Sequence, residues 1–367
     1  MLAIATLEVR AFRNLVSQAI ALHPRFNVLA GENGQGKTNT LEAIYLATTS
    51  RSFRTSALNE CVAHDEALAT VRARIEDDRD AYAPPREQMV EIGARRRVQI
   101  DGKRPATLAT FALATPIVLF EPGTLALSQG PAAERRKLLD RVAVHLAAAS
   151  GGGEALLRDA ERYRRAHLHR KRAIEGRIDP RVVEPFERLM AEHGVAIVRA
   201  RAAAAQAITA PTTEAFARIA QSDLSLDVAY APRAPDDVEA FARSLAEHRE
   251  SDARRGTAST GPHRDDLSLL LGGRPARQVA SQGQHRALVL ALKGAELRAV
   301  ARARDVAPIL LLDDVSSELD PRRNAALFEF LHDQVGQVVL TTTRPELIGG
   351  AAERTVFDVR NGLVARR

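Results

Sequence analysis

The chain has 367 residues, a hydrophobic fraction of 45% and a single cysteine, Cys61. That length accommodates two domains of ~100–200 residues each. The lone cysteine excludes an internal disulfide framework, and no apolar run approaches the ~20 residues that cross a bilayer. The net charge of +6 suits an anionic partner. The 47 Arg against five Lys, with abundant Ala, is the bias a GC-rich genome gives, so the placement of the charge says more than its total. Residues 158–181 hold nine Arg or Lys and four Asp or Glu, a local excess of five. The opening MLAIATLEVRAF has no basic segment followed by a long apolar one, so a reducing cytoplasmic setting is expected.

In chain order, Ile4–Val9 reads as a short strand and Arg25–Ala30 as a buried one. Thr38–Thr48 follows with helical spacing at Leu41, Ile44 and Tyr45. Gln88–Gly93 and Arg97–Ile100 read as strands, with Asp101-Gly102 as a tight-turn signal. Thr115–Phe120 is another apolar strand. From about Pro131 to Arg255 the apolar residues fall at helical spacing, interrupted at Gly151–Gly153. Sustained heptads are missing, so no long coiled coil is expected. The last third returns to mixed character: a helix over Ser281–Val300, a buried strand over Ile309–Leu312, a helix over Pro321–Leu331 and a strand over Val338–Thr341. The expected fold is α/β in two lobes, the second inserted and mostly helical. Its parts are residues 1–122 and 300–367 for the first lobe and 123–299 for the second.

The stretch Gly31-Glu32-Asn33-Gly34-Gln35-Gly36-Lys37-Thr38 fits the phosphate-loop pattern G-x-x-x-x-G-K-[ST]. A strand precedes it and a helix follows, so backbone N–H groups and a helix N-terminus meet at the phosphates. Lys37 is assigned to the β- and γ-phosphates of ATP and Thr38 to Mg²⁺. Far downstream, Ile309–Leu312 ends in Asp313 and Asp314. A buried parallel strand delivers such residues to the ligand crevice of an open sheet. Asp313 is assigned to Mg²⁺ and Asp314 to orienting the attacking water.

Ala280-Ser281-Gln282-Gly283-Gln284 precedes a helix and resembles the LSGGQ signature of ABC-class ATPases. That resemblance implies a helix end facing the γ-phosphate of a second protomer, hence an ATP-dependent homodimer. Ser316-Ser317-Glu318-Leu319-Asp320 resembles the D-loop of the same class, with Glu318 and Asp320 as its acidic positions. Further stretches resemble the RecF family in particular: Leu7–Asn14, Leu41-Glu-Ala-Ile-Tyr45, Arg51-Ser-Phe-Arg54, Arg135-Arg-Lys-Leu-Leu-Asp140 and Gly261-Pro-His-Arg-Asp-Asp-Leu267. The resemblance spans nearly the whole chain and is loosest in the helical lobe. It implies binding to single-stranded, gapped and double-stranded DNA, cooperation with RecO and RecR, help in loading RecA, and weak DNA-dependent ATP hydrolysis.

The chain departs from these patterns in two places. Gly123-Thr124 follows Phe120-Glu-Pro122 where the family carries an acidic pair, and no Q-loop glutamine can be placed. Thr341–Thr343 stands where many ABC ATPases carry a switch histidine, which fits slow hydrolysis. Arg13 and Asn14 end the first strand beside the expected nucleotide and are assigned to it. Arg162, Arg164, Arg165, Arg170, Lys171 and Arg172 form a basic helical cluster with two open readings: contacts to a DNA backbone, or a solvated helix face. His263 and Arg264 are open between ligand contact and an exposed turn. Two functional alternatives also stand: the nucleotide-binding subunit of a membrane transporter, and a DNA clamp with negligible turnover.

Overall fold

The computed structural model describes residues 1–79, 84–176, 179–220, 224–314, 336–348 and 354–367. The chain divides into two compact units, Met1–Thr124 with Val300–Arg367, and Leu125–Ala299.

The first unit opens with β1 (Leu2–Arg10), β2 (Gln18–Ala21), β3 (Phe26–Ala30) and α1 (Lys37–Thr49), then β4 (Ala69–Asp77), β5 (Arg86–Ile92), β6 (Arg97–Ile100), α2 (Leu108–Ala114) and β7 (Ile117–Phe120). The second unit contains α3 (Ala126–Gln129), α4 (Ala132–Ala149), α5 (Gly153–Glu175), α6 (Pro180–Ala220), β8 (Leu226–Ala231), α7 (Val238–Glu247), α8 (Arg249–Arg255), β9 (Asp266–Leu271), β10 (Arg274–Pro275) and α9 (Ala276–Val279). The helix α10 (Gln282–Arg304) follows, and then β11 (Ile309–Leu312), β12 (Val338–Thr342), β13 (Arg354–Arg360) and β14 (Leu363–Arg366).

Two sheets build the first unit. One is antiparallel, in the order β2-β1-β4-β5-β6. Its strand β4 alternates strictly, with Ala69, Val71, Ala73 and Ile75 buried, as period-two spacing with one covered face requires. The other sheet runs β14-β13-β3-β12-β11-β7 and is parallel from β13 to β7. Its central strands β3, β12 and β11 are buried at every residue, which explains their largely apolar sequences, unbroken in β11 and interrupted by Asn27 in β3 and by Thr341 and Thr342 in β12. Leu29, Leu41, Ile44, Leu46, Val71, Val90, Ile309, Leu311 and Val339 belong to the core cluster of this unit.

The second unit is helical, with one antiparallel sheet, β10-β9-β8, that helical periodicity did not announce. Two stretches that resemble the RecF family lock it together from inside. Arg135 of α4 grips Asp266 at 2.7 and 3.0 Å, and Arg136 donates to the Asp265 carbonyl at 2.8 Å. The Asp265 carboxylate, fully buried, accepts from Arg201 at 3.0 Å, from Tyr230 and from the Arg233 N–H at 2.8 Å. Arg201 also bridges to Asp140. Buried charges persist when paired and hydrogen-bonded in this way.

Some expected boundaries move. The helix expected over Ser281–Val300 extends to Arg304, and the strand expected from Thr115 begins at Ile117. The expected helix at Pro321–Leu331, and Glu318 and Asp320 of the D-loop, lie outside the described residues. Among the described residues no helix is long and apolar enough to cross a membrane.

Candidate nucleotide site

Strand β3 ends at Ala30 and α1 begins at Lys37, so residues 31–36 form the loop between them. Gly36 caps α1 with φ 113°, a left-handed conformation that a Cβ resists. Gly31 lies so close to β13 that a Cβ would come within 2.4 Å of the Val359 carbonyl oxygen. The loop is braced from the β13–β14 turn. Gln35 Oε1 accepts from the Asn361 N–H at 2.7 Å, and its carbonyl accepts from Gly362 at 2.9 Å. Asn14 closes the other side. Its Nδ2 donates to the Gly34 carbonyl at 3.2 Å, and its Oδ1 accepts from Asn39 at 2.6 Å.

Lys37 is buried, and its ammonium donates to the carbonyls of Gly31 and Glu32, both at 2.8 Å. Burial lowers its pKa, while Asp314 and Asp313 oppose that shift. The loop therefore encloses a compact cation held by its own backbone.

The parallel pairing of β11 with β12, and of β12 with β3, brings the acidic strand end to the start of α1. Thr38 Oγ1 donates to Asp313 Oδ1 at 2.9 Å, across 275 residues of sequence. Thr341 at the end of β12 also donates to Asp313 Oδ1, at 2.8 Å, and accepts from the Asp314 N–H at 2.8 Å. Asp314 itself has φ 51°. Burial raises the pKa of Asp313 most; hydrogen bonds from Thr341 and Thr38 oppose it, and Asp314 adds to it. Thr341, noted in the sequence only as standing at the switch-histidine position, ties the two acidic residues to each other, a contact the sequence did not announce.

The Thr38 hydroxyl and the Asp313 carboxylate are hard oxygen donors of the kind Mg²⁺ takes. Among the described residues no group of three or more His, Cys, Asp or Glu could hold a metal unaided.

Arg13 corrects an expectation. It donates to Glu42 at 3.0 and 2.8 Å and to the Glu60 carbonyl at 2.8 Å. Glu42, fully buried on α1, also accepts from Ser52 at 2.5 Å, and Arg54 stands 3.4 Å away. Burial pushes the Glu42 pKa up, but Arg13 and Ser52 overcome it and the net shift is down. This carboxylate, placed among Leu41, Ile44 and Tyr45, was visible in sequence as the one charge on an apolar helix face.

In the second unit, Ser281 and Gln284 form a reciprocal capping box at the start of α10. Gln284 Oε1 accepts from the Ser281 N–H at 2.8 Å, and Ser281 Oγ accepts from the Gln284 N–H at 3.2 Å. Gln282 lies 3.4 Å from Gln129, and Gly283 falls in the first turn. The basic cluster on α5 divides. Arg162, Arg164, Arg165 and Arg172 are exposed and Lys171 is half-buried. Arg164 and Arg165 share Glu161, at 2.9 and 2.7 Å, and Lys171 faces Glu175 at 3.7 Å. Arg170 corrects a second expectation: it is 1% exposed, paired with Glu187 and Asp252, and out of reach of a DNA backbone. His263 is half-buried, hydrogen-bonded to Tyr163 at 2.7 Å and stacked on His167 at 4.3 Å, while Arg264 is exposed.

Residues 3–363 match the family model described as the RecF/RecN/SMC N terminal domain. The "DNA replication and repair protein RecF" of Anaeromyxobacter sp. (strain Fw109-5) is 38% identical over 372 residues, covering 98% of both chains. Its counterpart in Myxococcus xanthus is 38% identical over 377 residues, covering 98% of this chain and 96% of that one. The fold is similar to that of the recombination mediator protein RecF solved with ATPrS, at TM-score 0.86 and 25% identity, covering 100% of this chain and 98% of that one. An Smc head bound to the C-terminal winged-helix domain of ScpA follows at TM-score 0.58 and 17% identity, a likeness of fold alone. These matches set aside the transporter-subunit alternative, and with the phosphate loop and acidic strand end in one sheet, the chain belongs to the RecF family.

Proposed function

We propose that this protein is an ATP- and Mg²⁺-dependent DNA clamp of recombinational repair and replication. The observation that carries the reading is the convergence of Lys37, Thr38, Asp313 and Thr341 at the mouth of the parallel sheet. In this reading Lys37 and the loop N–H groups of residues 31–36 hold the ATP phosphates. Thr38 and Asp313 hold Mg²⁺, which neutralises phosphate charge when bound. Asp314 orients water for a slow hydrolysis.

The capped N-terminus of α10 meets the γ-phosphate of a second protomer, so two ATP molecules join a homodimer. The exposed arginines Arg162, Arg164, Arg165 and Arg172 then contact single-stranded, gapped or double-stranded DNA through its backbone, a sequence-independent and salt-sensitive contact. The solved RecF relatives carry ATP or ATPrS and are described as acting in the RecFOR pathway. By that likeness RecO and RecR are partners, RecA is loaded indirectly, and the setting is cytoplasmic.

The experiment is Asp314→Asn, measured as mass in sedimentation with ATP, with and without DNA. Loss of the carboxylate should stop turnover while Thr38 and Asp313 still hold the cation, so the variant should accumulate as a dimer. A variant that hydrolyses ATP at the wild-type rate would remove Asp314 from its assigned role. A wild type that stays monomeric with ATP and DNA would end the clamp reading.

A further inference from the structure

Strand β12 ends in two buried threonines, and the first of them, Thr341, is 1% exposed. In the parallel sheet it stands opposite Leu29 of β3, two residues before Gly31 opens the phosphate loop. On its other flank β11 ends at Leu312, paired with Leu340, so Asp313 and Asp314 begin beside Thr341.

A threonine hydroxyl has one proton and two lone pairs. Here the proton goes to Asp313 Oδ1 at 2.8 Å, and a lone pair takes the Asp314 N–H at 2.8 Å. The same Asp313 oxygen accepts the Thr38 hydroxyl at 2.9 Å. Two hydroxyls, one from α1 and one from β12, thus converge on a single carboxylate oxygen. The bond to Asp314 acts on the backbone instead. Asp314 has φ 51°, a left-handed conformation that a residue with a Cβ keeps only where its surroundings hold it. While the bond to Asp313 is made, Thr341 has no proton to give to a phosphate oxygen. Its route to the nucleotide runs through the acidic pair.

We infer that Thr341 is a positioning residue of the nucleotide site, whose one hydroxyl fixes the Asp313 carboxylate and the Asp314 backbone together and so sets cation affinity and turnover at once. This rests on the assignment of Asp313 to Mg²⁺ and Asp314 to water in the reading above. Groups standing behind a metal-holding side chain are worth roughly 10–100-fold in metal affinity or activity.

The test uses the full chain with Thr341→Val, which keeps the branched shape and removes the hydroxyl, and Thr341→Ser, which keeps the hydroxyl. A fluorescent ATP analogue is titrated across a Mg²⁺ series and in EDTA, and kcat and KM for ATP are measured in parallel. Thr341→Val should need roughly 10–100-fold more Mg²⁺ for half-maximal binding, with its affinity in EDTA unchanged. Its kcat should fall while KM at saturating Mg²⁺ stays near wild type, as loss of an interaction made only in the transition state requires. Thr341→Ser should recover both. The binding measurement needs no turnover, so it decides even where hydrolysis is slow. If Thr341→Val does not fold, Thr341→Cys, a weak donor and acceptor, takes its place.

A Mg²⁺ requirement equal to wild type in folded Thr341→Val overturns the inference while the Mg²⁺ assignment stands. Equal losses in Thr341→Val and Thr341→Ser also overturn it, because the methyl group and not the hydroxyl would then matter. In an Asp313→Asn background Thr341→Val should add little to the Mg²⁺ requirement; full additivity would show that it does not act through Asp313. Analogue binding by the wild type that is indifferent to Mg²⁺ removes the parent assignment and this one together.

Discussion

Glu42 shows how one buried carboxylate organises the neighbourhood of the phosphate loop. It sits on the helix that starts at Lys37 and holds Arg13 from beyond β1 and Ser52 from the loop after α1. At 0% exposure its charge is tolerated because Arg13, Ser52 and Arg54 pair it. Removing one partner of a buried pair costs ~3–5 kcal/mol, because the other charge is left behind. We expect Glu42→Ala to lower stability by about that much, read as a shifted urea midpoint with the slope retained. The folded pKa of Glu42 is depressed. Its contribution is therefore present above the unfolded value of about 4.3 and is lost as pH falls through the folded value. Glu42→Gln should accordingly flatten the loss of stability below about pH 4; an acid limb identical to wild type would show that Glu42 does not titrate on unfolding.

At the scale of elements, the signature helix has an observed role and a proposed one on the same atoms. Ser281 caps α10 and is also the residue assigned to the partner's γ-phosphate. A lost Ser cap costs ~1 kcal/mol, so a defect after substitution could have either origin. Two variants separate them. Ser281→Ala removes the hydroxyl but leaves the approach open, whereas Ser281→Arg also blocks it. We expect both to bind an ATP analogue, Ser281→Ala to dimerise weakly with ATP, and Ser281→Arg not at all. Equal dimerisation by size-exclusion mass in both would place α10 outside the interface.

The elements differed in how plainly the sequence announced them. The phosphate loop, α1 and β11 were legible, since buried parallel strands are apolar throughout and the loop pattern has a fixed spacing. By contrast β4 was passed over although Val71, Ala73 and Ile75 alternate, because Arg72 and Arg74 between them break any apolar run. The hairpin of β13 and β14 went unnoticed despite Asn361-Gly362, a strong turn pair. The sheet β10-β9-β8 hid inside a stretch with helical composition. Arg13 and Arg170 were misjudged for one reason: a sequence shows that a cation is present but not which carboxylate it meets. Glu42 is 29 residues from Arg13, and Asp252 is 82 residues from Arg170.

For the molecule as a whole, the charge of +6 overstates what is free to act. Arg135, Arg170 and Arg201 are structural cations sealed against Asp266, Glu187, Asp252, Asp140 and Asp265. Arg162 and Arg172 are exposed and have no ion pair among the described residues. The contrast gives a paired prediction. Arg162→Glu/Arg172→Glu should leave thermal stability near wild type and reduce the salt slope of duplex binding by about 1.8, at ~0.9 per phosphate. Arg170→Ala should do the reverse, unfolding the second unit at lower urea by ~3–5 kcal/mol. If Arg170→Ala stays as stable as wild type, the buried network is not what holds α5, α6 and α8 together.

The strand order β13-β3-β12 has a further meaning for how the protein comes into being. Strand β3, which carries the phosphate loop, gains both of its sheet neighbours only when residues 338–360 are present, more than 300 positions later in the chain. The turn at Asn361 and Gly362 then closes on Gln35. At roughly 5–20 residues per second on the ribosome, the loop waits tens of seconds with half its frame missing. A nascent or prematurely ended chain therefore carries the whole phosphate-loop sequence without a working nucleotide pocket. The phosphate-loop pattern in a sequence is thus no measure of a finished frame, which only the last strands of the chain supply.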